Sequence, residues 1–208
     1  VVTGAGPGIM EAGMSGAGRN QSIGVSIRLP FESSANPIIA GDDKFVSMRY
    51  FFTRKLMLVK ESHAFICMPG GFGTLDETFE LLTLVQTGKS APTPIVMLDL
   101  PGDDFWHSID DVIRKQMLER SLVSPEDLDL YRVCETIEDA VSEITLFYRN
   151  YHSIRFVGKH LVVRLQLPPT DLLVEELNVE FGYLCKAGSF ERINPTPSEI
   201  SDNDHLDK

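Results

Sequence analysis

The sequence is short of cysteine, of basic charge and of long apolar runs, and each shortage narrows what the chain can be. Its three cysteines, Cys67, Cys134 and Cys185, are widely spaced among 208 residues. They make no CxxC pair and no even framework, so they read as reduced thiols in a reducing cytoplasm. Nineteen basic residues stand against thirty acidic ones, a net charge of -11. That balance repels polyanions, and no basic stripe with interleaved aromatics offsets it, which argues against a nucleic-acid polymer as partner. No apolar run approaches membrane-spanning length and no signal-like stretch opens the sequence, so no membrane partner is expected. His63, His107, His152, His160 and His205 show no metal-ligand spacing, and no metal is assigned. The single tryptophan, Trp106, reads as core.

What is present suits one sizeable α/β core with an appendage: 43% of the residues are hydrophobic. Apolar runs at residues 23–27, 64–68 and 95–98 alternate with helical stretches over residues 7–19, 51–62, 73–87, 105–120 and 137–148. Short apolar strands of this kind predict a parallel sheet covered on both faces. The expected architecture is a doubly wound, Rossmann-like α/β domain over residues 1–150, with its ligand beyond the carboxyl ends of the strands. The opening Val1-Val2-Thr3-Gly4 reads as the tail of a strand entering a turn, so a first strand and helix are expected to precede it. After Asn150 the pattern changes. Residues 151–193 read as a small C-terminal α/β appendage, with a strand at 161–165, a helix from Thr170 to Cys185 capped by Thr170, and a last strand at Phe190–Ile193. From Asn194 to Lys208, Pro, Ser and Asp dominate, and this acidic tail is expected to be disordered.

The stronger of two glycine motifs is Pro69-Gly70-Gly71-Phe72-Gly73-Thr74-Leu75-Asp76-Glu77. It follows an apolar strand and opens a helix. The free N–H groups of such a helix start, with the positive end of the macrodipole, bind phosphate. Thr74 adds a hydroxyl. An ordinary Gly-rich turn would need neither the strand before it nor nine residues of motif. Glu77 and Glu80 share a helix face with Thr83 one turn on. Because Phe79, Leu81, Leu82 and Leu84 make that helix largely apolar, the two carboxylates are expected to face a cleft rather than bulk water. The first loop, Gly4-Ala5-Gly6-Pro7-Gly8, also lies between strand and helix, but it is not a GxGxxG fingerprint and no acidic residue follows the next strand. It reads equally as a tight turn or as a phosphate cradle through Gly6 and Gly8. Arg54 and Lys55 lie on the helix before the Pro69 strand, among Phe51, Phe52, Leu56, Met57 and Leu58. That company predicts a mostly buried segment, with Phe52, Leu56 and Val59 on one stripe, in which an arginine needs an anionic partner.

Together these residues closely resemble the LOG (Lonely Guy) family, whose members often carry the label lysine decarboxylase-like. The hallmark PGGxGTxxE is matched in full by Pro69 to Glu77, and a preceding Arg-Lys by Arg54-Lys55; the Gly4–Glu11 turn is also similar, and the likeness covers roughly residues 1–150. The stretch from Ile27 to Glu32 and the appendage look like the longer bacterial members, and Glu32 is the counterpart of a substrate-contacting glutamate in plant-type members. The resemblance implies hydrolysis of a nucleoside 5′-monophosphate to free base and ribose 5-phosphate by a cytoplasmic homodimer or higher homo-oligomer. Arg54 and Glu77 would be catalytic. Gly70, Gly71, Gly73, Thr74, Lys55, Glu80, Thr83, Glu32, Gly6 and Gly8 would bind substrate. No cofactor is implied, because nothing around Lys55 resembles a pyridoxal phosphate site. A non-catalytic nucleotide carrier of the same fold is the rival reading.

Overall fold

The apolar runs do fold as parallel strands. The computed structural model describes residues 1–28 and 35–207, which divide into two units, Val1–Val141 and Ser142–Lys208. In the first, β1 (Val2–Thr3), α1 (Ile9–Ala17), β2 (Ile23–Ile27), β3 (Phe45–Met48), α2 (Phe51–Lys60), β4 (Phe65–Cys67), α3 (Phe72–Gln86), β5 (Ile95–Leu98), α4 (Phe105–Val112) and β6 (Arg132–Cys134) follow one another. Helix α5 (Ile137–Tyr148) leads into the second unit, which holds β7 (Tyr151–Val157), β8 (His160–Leu165), α6 (Asp171–Phe181) and α7 (Pro197–Asp202). The parallel strands pair in two sets of three, β1-β2-β3 and β4-β5-β6.

Strand β5 shows why an uninterrupted apolar run is diagnostic. All four of its residues are buried between β4 and β6. Asp99 follows it at 1% exposure and accepts the backbone N–H groups of Trp106 and His107, at 2.8 and 3.1 Å. These are donors that the first turn of α4 cannot satisfy within itself. Burial alone would raise the Asp99 carboxyl, but the Trp106 amide and the His107 ring outweigh it and hold the carboxyl below its ordinary value. The result anchors α4 and carries Trp106, as expected, fully into the core. In the other sheet, a Cβ on Gly24 would fall 2.9 Å from the Phe45 ring and 3.0 Å from Ala5. Glycine there lets the turn after β1 sink onto β2, where Ala5, Met14 and Ile39 form a buried cluster.

Several expectations need correction. Strand β3 fills residues that the sequence pattern leaves unassigned, and the helix expected over 105–120 is α-helical to Val112 and widens to a π-helix over Ile113–Leu118. Helix α2 is not mostly buried: Phe51, Phe52 and Leu56 are 56%, 69% and 59% exposed. Strand β7 was not anticipated; it pairs antiparallel with β8. Residues 190–193 form no strand.

The acidic tail likewise carries a helix where disorder is expected. A Thr196–Glu199 capping box with Pro197 in the first turn starts α7, a combination that satisfies two orphan donors at once. Two arginines of the β7–β8 hairpin then hold it. Arg164 reaches Glu199 at 2.9 Å and Asp204 at 2.7 Å, and Arg155 pairs with Asp202 and Asp204. Arg164 and Glu199 are each 4% exposed at the side chain. The Thr196 amide and hydroxyl, and then Arg164, hold the Glu199 carboxyl below its ordinary value. Its contribution to stability is therefore complete above the unfolded-chain value and lost as pH falls through the lower folded one. Replacing Arg164 by Ala leaves the buried Glu199 carboxylate with Thr196 but without its cation, and should cost up to about 3–5 kcal/mol. Urea unfolding at neutral pH checks this, and the deficit should shrink once acid has protonated Glu199 in both proteins; a loss under about 1 kcal/mol would show the pair to be dispensable.

Candidate functional site

Helix α2 inverts the usual amphipathic arrangement. Its phenylalanines face outward, whereas Arg54 and Lys55 are sheltered at 13% and 16% side-chain exposure. What shelters them is the acidic face of α3. Arg54 Nη2 meets Glu77 Oε1 at 2.8 Å, and Lys55 Nζ meets Asp76 Oδ2 at 2.6 Å and Glu80 Oε2 at 2.9 Å. The two helices are thus cross-linked by two rungs of opposite charge. Where a cleft is expected to receive both carboxylates, Glu77 and Glu80 instead meet the cations of α2, and of the two Glu80 also lines an open groove; the cations offset their mutual repulsion.

The rungs leave different chemistry on each residue. Burial raises the Glu77 carboxyl above its ordinary value, and Arg54 and Lys55 offset that only in part. The hydrogen bond that Lys55 donates to Asp76, helped by the one to Glu80, raises Lys55 and keeps its ammonium protonated. A lysine poised for Schiff-base chemistry needs the opposite shift. Arg54 retains one donor, Nε, that is buried and has no acceptor among the described residues. The guanidinium also lies near the end of β1: a Cβ built on Gly4 would be 3.5 Å from Arg54 Nη2. Cys67, the last residue of β4, feels the charge of Glu77, so the carboxyl ends of β1 and β4 each lie near one member of this ion pair.

The second glycine loop sits where the motif predicts. Gly71 is the N-cap of α3, Phe72, Gly73 and Thr74 form its first turn, and no side chain among the described residues caps it. Gly70, Gly71 and Gly73 are exposed. At Gly70 the reason for glycine is space, because a Cβ would fall 2.3 Å from Thr74 Oγ1. Along α3, Thr83 is exposed and donates its hydroxyl to Phe79 O at 2.8 Å. Together with Lys55, Leu75, Asp76, Phe79, Glu80 and Leu84 it lines an open groove, on the Lys55 rung rather than the Arg54 rung. Gly6 and Gly8 lie on the turn before α1, whose Gly4 approaches Arg54. Glu32 lies outside the described residues. The sequence reading did not single out Asp76, whose partnership with Lys55 depends on the packing of α2 against α3.

The loop geometry separates two glycines. A Cβ on Gly73 meets nothing within 4 Å, and the residue is helical, so Gly73→Ala should raise stability by up to about 1 kcal/mol. Gly70→Ala should lower it, since Thr74 must turn away. Chemical denaturation of both variants checks the pair, and a destabilised Gly73→Ala would contradict the open space found there.

Among known proteins, the family profile described as "Possible lysine decarboxylase" matches residues 8–144, more than half of the chain. The chain is 32% identical over 91 residues to cytokinin riboside 5′-monophosphate phosphoribohydrolase LOG3 of Arabidopsis thaliana, covering 44% of this chain and 40% of that protein. It is 33% identical over 102 residues to the cytokinin riboside 5′-monophosphate phosphoribohydrolase of Mycobacterium tuberculosis, covering 48% and 51% respectively. A third relative, LOG7 of Arabidopsis thaliana, is 33% identical over 101 residues, with 44% and 45% covered. The chain thus spans about half the length of the curated relatives it matches. With the Pro69–Glu77 loop and the Arg54–Lys55 pair in place on α3 and α2, the profile match assigns this chain to the LOG family, the group described as possible lysine decarboxylases.

Proposed function

We propose that the protein hydrolyses the N-glycosidic bond of a nucleoside 5′-monophosphate, AMP or an N6-substituted AMP, to free base and ribose 5-phosphate. The observation that carries this reading is the Arg54–Glu77 pair. A half-sheltered carboxylate with a raised pKa stands beside an anion-binding helix start, held by a guanidinium that keeps a spare donor. Breaking the bond builds oxocarbenium character at the anomeric carbon and requires a positioned water. The Glu77 carboxylate stabilises the first and accepts a proton from the second. Hydroxyl ends on the sugar and the departing base ends with a proton. Arg54 stays protonated throughout, so it orients Glu77 and clamps substrate oxygen.

In this reading Gly70, Gly71, Gly73 and Thr74 take the 5′-phosphate at the start of α3, and that remote binding energy positions the sugar. Glu80 and Thr83 contact substrate from the groove, with Lys55 fixing Glu80, while Gly6 and Gly8 complete the other side; Glu32 is a further substrate contact in this reading. We read the two three-stranded sheets as halves of one doubly wound sheet, with β1 and β4 turned toward each other, because their carboxyl ends lie near Arg54 and Glu77. The protonated, doubly paired Lys55 argues against a decarboxylase that would use it as a Schiff base.

The test is base release from equal concentrations of AMP and adenosine, followed by chromatography. A charge-assisted hydrogen bond contributes about 1.5–3 kcal/mol, so several bonds to one phosphate should favour AMP by roughly a thousandfold or more in kcat/KM. Glu77→Gln should abolish turnover while AMP still binds, and the acid limb of the wild-type pH profile should lie above the ordinary carboxylate value of 4.5. Equal rates for AMP and adenosine would remove the phosphate anchor. Binding of AMP without release by the wild type would instead favour a nucleotide carrier.

The same reading includes a homodimer. Phe52, Leu56 and Phe72, the last 93% exposed, put apolar surface on α2 and the glycine loop that a lone chain leaves in water. Light scattering of an active preparation at micromolar concentration should give the dimer mass; a monomer would refute the assembly.

A further inference from the structure

The Met10 side chain lies across the first glycine turn. Its sulfur accepts the Gly6 N–H at 3.4 Å, and a Cβ added at Gly4 or Gly6 would fall 2.9 or 3.3 Å from that sulfur. The same point above Gly4 is 3.5 Å from Arg54 Nη2, the nitrogen that holds Glu77. The thioether therefore stands beside the ion pair at the carboxyl end of β1. Packing does not explain it. Met10 is 36% exposed, whereas Met14, one turn on, is fully buried and supplies the core contact of α1.

The turn underneath is fixed. Asn36, 5% exposed, donates its backbone N–H to Ala5 O at 2.9 Å and its side-chain amide to Gly6 O at 3.2 Å. Ala5 is buried and sits at φ 59°, a left-handed conformation that a residue with a Cβ adopts only when its surroundings enforce it. A flexible, adaptable side chain thus covers a rigid backbone donor. A thioether is a weak acceptor, and a ligand hydroxyl or phosphate oxygen is a stronger one. Contact with a ligand at this turn would exchange the sulfur, not move the backbone.

We propose that Met10 is a specificity-determining residue. Its sulfur yields the Gly6 N–H to an oxygen of the nucleotide, and its methyl and methylene groups then pack on the ribose whose glycosidic bond faces Glu77. The proposal rests on the hydrolase reading above, so its test includes a measurement that needs no turnover. Peroxide oxidation of Met10, read by peptide mass spectrometry with the other methionines as internal reference, should slow at least about threefold when ribose 5-phosphate saturates the protein, as expected for a side chain that a bound sugar covers. In steady-state base release from AMP, Met10→Ala should lose about tenfold in kcat/KM, mainly through KM, the size expected for one lost apolar contact. Met10→Leu, close in volume, should stay within about threefold. The exposed position predicts wild-type urea midpoints for both variants, which separates a folding defect from a binding one. An oxidation rate indifferent to ribose 5-phosphate, with Met10→Ala as efficient as an active wild type, would overturn the proposal and leave the hydrolase reading standing. Protection of Met10 in a protein that releases no base would uphold the contact while the hydrolase reading falls.

Discussion

Helices α2 and α3 are joined by three ion pairs, and the remainder of the site is arranged around them. A sheltered guanidinium and ammonium are tolerable only when each is paired and hydrogen-bonded, because desolvation would otherwise exceed any local gain. Asp76, Glu77 and Glu80 meet this requirement. Their spacing on α3 is fixed by the helix period, so α2 has little freedom to slide without breaking a rung. This register places Glu77 at the Arg54 end, between the two glycine turns, and Glu80 at the groove end. It also frees the phenylalanines of α2 from any role in that contact and turns them outward.

Much of this was legible in the sequence, for reasons that can be stated residue by residue. The run Ile95–Leu98 could only be a strand buried on both faces, and Pro69–Glu77 carries its own strand–turn–helix context. Arg54 was expected to find an anion, and it does. The environment of α2 is not legible from its hydrophobic neighbours, because periodicity gives the sides of a helix without saying which side is inside. Strands β3 and β7 escaped notice for another reason. β3 is four residues long and its register comes from β2, more than fifteen positions away. In β7, His152, Ser153 and Arg155 interrupt the apolar positions, so its pairing with β8 outweighs its composition. The tail shows the same limit: Thr196-Pro197-Ser198-Glu199 is a helix start in plain view, but the Pro, Ser and Asp around it were read as a bulk property.

The family description and the local chemistry point in different directions. A decarboxylase in the pyridoxal sense would need a lysine that can lose its proton, whereas the two carboxylates beside Lys55 stabilise the protonated form. Arg54 and Glu77 present the opposite case: a carboxylate that burial makes more basic, next to a cation that cannot give up its proton. That combination suits the handling of water and positive charge on a sugar. The names of the relatives agree with it better than the description of the family does.

The clasp between the β7–β8 hairpin and α7 also bears on how the chain emerges from the ribosome. Arg164 precedes its partner Glu199 by 35 residues, and Arg155 precedes Asp204 by 49. At about 5–20 residues per second of synthesis, the hairpin exists for roughly two to ten seconds before its acidic partners have been made. Until then neither guanidinium has the carboxylates that pair it in the folded protein. Pairing within the second unit is thus complete only after residues 199–204 have been added.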